Sequence, residues 1–231
     1  MIAVIRYNWP KYLIALLAVA AGLATPHPLV RTAAAGLAVW VAAGLAATWW
    51  VYDRSPLYRW TWATDLLPAP PERYVVLSTG LDEISATLAG RYPAGAATVV
   101  DLFDPAVSEA SIRRARAHVP PASATVAGRP DRLPVPDASQ DAVFAAFAAH
   151  EVRDSRQRQA VFAELARVLR PGGRLVLVEH CRDAANIAVY GPGAWHFYPR
   201  AEWLRLATGA GLARVRETTM TPLVRALVLA R

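Results

Sequence analysis

A chain of 231 residues accommodates one α/β domain and a membrane segment, but not two large domains. Its formal charge of +7 comes almost wholly from arginines scattered along the chain, with Lys11 the only lysine. No basic run alternates with aromatic residues, which argues against a nucleic-acid partner, and the single Cys181 excludes an intramolecular disulfide or a cysteine-based zinc site.

The apolar excess lies at the start. Residues 12–25 are apolar without interruption, and residues 32–52 carry no charge, close to the ~20 residues that cross ~30 Å of hydrocarbon as helix. Pro26, His27 and Pro28 predict a tight turn between them. Trp9, Tyr12, Trp49, Trp50 and Tyr52 sit where interfacial aromatic belts form. Arg6 and Lys11 precede the pair and Arg54 and Arg59 follow it, against Arg31 alone in the loop, so both termini are expected in the cytoplasm. The alternative is a secretory signal peptide ending near Gly22-Leu23-Ala24, with the second segment still an anchor. Ala43, Gly44, Ala46 and Ala47 suit close helix packing, including pairing between copies in a homo-oligomer. The expected organisation is a membrane anchor of two transmembrane helices over 1–52, an interfacial linker over 53–72 and a cytoplasmic domain over 73–231. That makes a multi-pass protein of the cell membrane. In the linker, residues 55–67 are expected as a partly amphipathic helix with Trp60 and Trp62 at headgroup level.

Beyond the linker, short apolar runs alternate with helical stretches. Strands are predicted at 74–77, 98–102, 124–126, 141–147 and 174–179, with helices at 83–91, 108–118 and 155–169. Pro171-Gly172-Gly173 stops the last helix before a strand. Residues 212–219 and 223–230 read as a final antiparallel pair. The fold class is α/β, a Rossmann-like doubly wound sheet preceded by a transmembrane helical hairpin. In such sheets ligands lie at the carboxyl ends of the strands.

The segment 133–143, LPVPDASQDAV, resembles the approach to the fourth strand of class I S-adenosylmethionine-dependent methyltransferases. FAELARVLRPGGRLVLVE, 162–179, is similar to the helix, turn and fifth strand of that family. His196-Phe197-Tyr198-Pro199, followed by Trp203 and Gly211-Leu212, resembles the helix before its last two strands. The resemblance covers residue 73 to the C-terminus and implies strand order 3-2-1-4-5-7-6, with S-adenosylmethionine as the cofactor. It departs in the loop after the first strand, Ser78-Thr79-Gly80-Leu81-Asp82-Glu83, where only Gly80 keeps a family glycine and Val76 replaces an acid. Arg129 stands where an acid facing the adenine is expected, whereas the acid ending the second strand is kept as Asp101. The resemblance thus implies cofactor contacts from Ser78, Gly80, Asp82, Glu83 and Asp101, the last to the ribose hydroxyls.

The strand ends gather Asp82, Glu83, Asp101, Asp104, His150, Glu151, Glu179 and His180, with His196 beyond them. Such a rim suits acid–base catalysis, for which His150, His180 and Glu179 are the candidates. It also suits a divalent metal, with Asp82, Glu83, His150, Glu179, His180 and His196 as possible ligands. Taken singly, Glu83 reads as a helix N-terminal acid and Asp104 as a cap. The expected function is a membrane-anchored methyltransferase acting on a lipophilic small molecule or lipid. The alternatives are a metal-dependent enzyme of another reaction class on the same fold, or a non-catalytic membrane-tethered partner module.

Overall fold

The computed structural model describes residues 2–63 and 65–231. Two long helices open the chain, α1 (Ile2–Ala24) and α2 (Pro28–Trp49), joined at the expected Pro26–Pro28 turn. Pro10 removes a backbone donor inside α1 and the helix kinks at Asn8, where φ is −110° and ψ 15°. Most of the large apolar side chains of the hairpin are exposed, among them Ile14, Leu16, Leu17, Leu29 and Val39.

The sheet is built from β1 (Arg73–Ser78), β2 (Ala96–Asp101), β3 (Val126–Ala127), β4 (Gln140–Ala146), β5 (Leu169–Glu179), β6 (Ala213–Thr221) and β7 (Val224–Ala230). Its order is β3-β2-β1-β4-β5-β7-β6, as the resemblance implied. The first five strands are parallel, and β7 runs antiparallel to both β5 and β6. Connecting helices are α3 (Ser85–Arg91), α4 (Ala110–His118), α5 (Ser155–Val168), α6 (Ala184–Tyr190) and α7 (Arg200–Gly209).

The side chains of the central strands alternate between two faces, as a pleat requires. Val75, Leu77, Val143, Leu175 and Leu177 point to one side, where Phe162, Leu165 and Trp203 of α5 and α7 bury them. Tyr74, Val76, Phe144, Val176 and Val178 point to the other, and what covers them is unexpected: Val51, Leu57, Trp60, Ala63 and Leu66 from the stretch after α2.

The linker is therefore no interfacial helix. After α2 the chain makes one wider turn, Trp50–Arg54, then two short 3₁₀ turns, Leu57–Arg59 and Thr61–Ala63. The ring of Trp60 is not at headgroup level; it is 1% exposed and meets Phe144 edge-on at 5.5 Å. Trp62, half-buried, stacks on it at 5.0 Å. Pro56 starts a turn rather than a long helix, and the apolar residues satisfy a sheet face that the domain's own helices leave open. Trp60→Ala is expected to cost about 3–5 kcal/mol of stability. Denaturant unfolding of the detergent-solubilised chain checks this; a change under ~1 kcal/mol, the usual range for surface positions, would refute the linker's role in the core.

Candidate active site

The parallel strands end together on one rim, with Ser78 of β1 in register with Asp101 of β2. There the chain turns through Gly80, whose φ of +98° only glycine adopts freely. Asp101 is buried and fully engaged. Its Oδ1 accepts the N–H groups of Gly80 (2.8 Å) and Phe103 (3.1 Å), and its Oδ2 pairs with Arg116 of α4. The Arg116 guanidinium also lies over the Phe103 ring, 4.7 Å from its centroid. It stands in, by chemistry, for a ligand that stacks on an aromatic ring while donating hydrogen bonds to a carboxylate. An adenosine offers those two features, so Asp101 and Phe103 fit the nucleoside part of S-adenosylmethionine once Arg116 yields its place. A Cβ on Gly80 would meet Ile112 at 2.4 Å and Phe103 at 2.8 Å, so the glycine also lets these side chains close over the loop.

Asp82 turns inward to its own loop, accepting from the backbone of Ile84 (3.1 Å) and Ser85 (3.0 Å) as well as from the Ser85 hydroxyl. Glu83, its neighbour, is exposed in accessible surface although protein atoms crowd its carboxyl. Desolvation pushes its carboxyl up to about 7, against the opposing pull of the nearby Tyr58 hydroxyl and the charge of His150.

Five residues, from the end of β5 and the segments after β2, β4 and β5, form one alternating chain. Glu109 contacts His196 Nδ1 (3.1 Å), and His196 Nε2 faces Glu151 Oε1 (3.4 Å). The same oxygen faces His150 Nε2 (3.4 Å), and His150 Nδ1 binds Glu179 Oε2 (2.6 Å). Glu179, at the end of β5, is fixed in turn by the N–H groups of Ala149 and His150. Burial disfavours a charged His150, but Glu179 and Glu151 outweigh it and push the imidazole up to about 10. Burial would raise Glu151, yet His150 and His196 hold it down at about 2. His196 is likewise raised, Glu109 and Glu151 overcoming its burial, while its hydrogen bond holds Glu109 low.

His180 occupies a different environment. Its Nδ1 lies 2.8 Å from the Leu223 carbonyl and must donate to it, so Nε2 is an acceptor, and the Tyr52 hydroxyl donates to it at 2.8 Å. Phe197 stacks on the imidazole at 4.7 Å, with Phe147 and Tyr190 also against it. Burial pulls His180 down to about 4, so it is neutral.

The structure thus separates residues that the sequence grouped. His150, Glu179 and His196 share one network; His180 sits with the aromatic side chains; Asp82 and Glu83 lie on the β1 loop. The six residues named as possible ligands do not form one metal site. Sequence reasoning missed Arg116, Tyr52 and Tyr58, since nothing in spacing brings Tyr52 to a histidine 128 positions away.

Residues 77–177 match the methyltransferase domain family, on a sheet with that family's strand order. Over those residues the chain resembles a methyltransferase domain, and its sheet has the Rossmann-like strand order seen in methyltransferase folds. Over 144 residues it is 33% identical to a demethylmenaquinone methyltransferase of Deinococcus radiodurans, spanning 60% of this chain and 56% of that protein. Over 129 residues it is 32% identical to a ubiquinone/menaquinone biosynthesis C-methyltransferase of Syntrophotalea carbinolica, spanning 52% and 50%. The chain therefore spans about half the length of the curated relatives it matches. A SAM-dependent methyltransferase from Aquifex aeolicus superposes with a TM-score of 0.53 at 16% identity, over 83% of this chain and 96% of that one. At that identity the likeness is one of fold.

The neutral His180 makes a prediction about acid stability. Its folded value of about 4 lies below the ordinary 6.5, so between those values the unfolded chain binds a proton that the folded chain refuses. Stability contributed at this position is present above pH 6.5 and lost as the pH falls towards 4, by about 3 kcal/mol in full. Urea unfolding at pH 7 and pH 4.5 should show this loss in the wild type and a smaller one in His180→Gln. Equal losses would refute the assignment.

Proposed function

We propose that the protein is a membrane-anchored methyltransferase whose acceptor is a lipophilic molecule taken from the inner leaflet. One observation carries this reading: Tyr52, at the end of the apolar hairpin, donates its hydroxyl hydrogen bond to His180 at the end of β5. The anchor reaches into the site, so the two form one functional unit. α1 and α2 have 23 and 22 residues, with mostly exposed apolar side chains along the stretches not packed against the domain. Trp40 of α2 donates to the carbonyl of Ala188 in α6 at 2.8 Å, and its ring packs on Gly191, where a Cβ would lie 2.0 Å away. α6 thereby lies along the inner half of the hairpin. Ile187 and Trp195, both exposed, extend the apolar surface from the anchor to the aromatic residues around His180. A quinone carrying a long isoprenoid tail suits such a path, and the names of the two curated relatives point to quinone biosynthesis. Confinement to the bilayer raises the effective acceptor concentration without new contacts.

S-adenosylmethionine, when bound, supplies a methyl group already activated by its sulfonium charge. Asp101 and Phe103 would hold its nucleoside part, and Gly80 leaves the β1 loop free of a side chain. Phe147, Phe197 and Tyr190 exclude water and orient a flat acceptor. A carboxylate held near neutrality is matched to removing the acceptor's proton, and Glu83 meets that requirement. His150 does not, because its imidazolium is locked between two carboxylates. Glu179 positions His150, and His180 takes the Tyr52 hydrogen bond.

Calorimetry of the detergent-solubilised chain should show saturable S-adenosylmethionine binding, weakened about tenfold or more by Asp101→Asn, the loss of a charge-assisted hydrogen bond. Arg116→Ala should tighten binding a few-fold while lowering the stability of the ligand-free chain, since the competitor for Asp101 is gone. Absence of saturable heat in all three proteins would end the proposal. For methyl transfer to a demethylated quinone in vesicles, the rate should rise with pH through about 7 as Glu83 loses its proton. Glu83→Gln should remove that limb and lower the rate by about 10²–10⁴-fold; an unchanged profile would refute the role of Glu83.

A further inference from the structure

Beyond methyl transfer, the chain Glu109–His196–Glu151–His150–Glu179 has features that a proton network alone does not explain. Its two outer contacts, at 2.6 and 3.1 Å, are ordinary charge-assisted hydrogen bonds. Its two inner ones are both 3.4 Å, beyond the usual range for N–H···O bonds. The carboxylates Glu179 and Glu109 each take the Nδ1 side of an imidazole, which leaves both Nε2 atoms directed at one point beside Glu151. That is the arrangement in which outer carboxylates orient histidines towards a metal. Glu151 adds a second, independent sign: its side chain is 8% exposed, and its Oε2 is buried with no hydrogen-bond partner. One ligand atom from each of His150, Glu151 and His196 lies within 4.8 Å of the others. Two ligands each about 2.1 Å from a tetrahedral ion stand roughly 3.4 Å apart, so the inner spacing is that of an ion's ligands.

We propose that His150 Nε2, His196 Nε2 and the Glu151 carboxylate bind one divalent first-row transition ion, with Glu179 and Glu109 as the outer carboxylates that orient the two rings. Two imidazoles and a carboxylate suit zinc, iron or manganese and leave at least one coordination position open. The ligand set differs from the broad rim read from the sequence. It gains Glu151, loses Asp82, Glu83 and His180 as ligands, and moves Glu179 behind His150. Arg153 steadies the site by donating to the carbonyls of His150 (3.1 Å) and His196 (2.7 Å), fixing the two loops that carry the rings.

The test uses the full chain, without an affinity tag, purified in detergent without chelator. Elemental analysis should find one transition ion per chain. After the ion is stripped, titration with Co²⁺ should give the visible d–d bands of a nitrogen- and oxygen-ligated ion, and Zn²⁺ should abolish them and raise Tm. His196→Ala, at a partly exposed position that the fold tolerates, and Glu151→Gln should lose the ion. Glu109→Gln should weaken Co²⁺ binding by about 10–100-fold while keeping the stoichiometry. Circular dichroism confirms that each variant is folded. Less than one ion per ten chains, with neither a Co²⁺ spectrum nor a Zn²⁺-dependent rise in Tm, would overturn the site and leave a proton network only. Retention of the ion in both His196→Ala and Glu151→Gln would overturn it equally. None of these readouts depends on methyl transfer, so the metal site and the proposed activity fail or stand separately.

Discussion

A parallel sheet presents two apolar faces, and each must be kept from water. Here α5 and α7 cover one, while the other depends on the stretch of chain that follows α2 and ends before β1. Val51, Leu57, Trp60 and Leu66 sit on Phe144, Val176 and Val178 as an ordinary crossover helix would. Because that cover is continuous with α2, the orientation of the hairpin towards the domain follows from core packing rather than from a flexible tether. Tyr52 then falls beside His180, and Trp40 beside α6, as geometric consequences.

This linkage explains the site's division into two environments. Near the hairpin, aromatic side chains surround a neutral histidine and offer an apolar bed. Towards α4 and the loop after β4, carboxylates and imidazoles alternate and keep their charges. Glu83 lies on the β1 loop, its carboxyl raised by desolvation. On the far side Asp101 and Phe103 hold Arg116. An apolar bed, a charged cluster and the Asp101–Phe103 pair thus occupy separate parts of one rim.

The fold was largely legible because local signals coincide with it. Alternating apolar runs mark β1, β2 and β4, Pro171-Gly172-Gly173 marks the passage from α5 into β5, and the strand order followed from the family resemblance. The linker was not legible. Trp60 and Trp62 beside Arg59 and Pro56 look the same in sequence whether they lie at headgroups or under a sheet, and only tertiary packing decides between them. The site was legible as a list of strand-end residues, since topology alone places Asp101, His150, Glu179 and His180 on the rim. Which partners they choose was not. That His150 faces Glu179 and Glu151 while His180 faces Leu223 and Tyr52 depends on χ angles and on loops 29 to 128 residues apart in sequence.

The position of Trp60 has a consequence for biogenesis. A domain whose second sheet face is sealed by the residues leaving the hairpin cannot complete its hydrophobic core ahead of that hairpin's emergence and placement. Removing residues 51–66 together with the hairpin would strip a wall from the sheet.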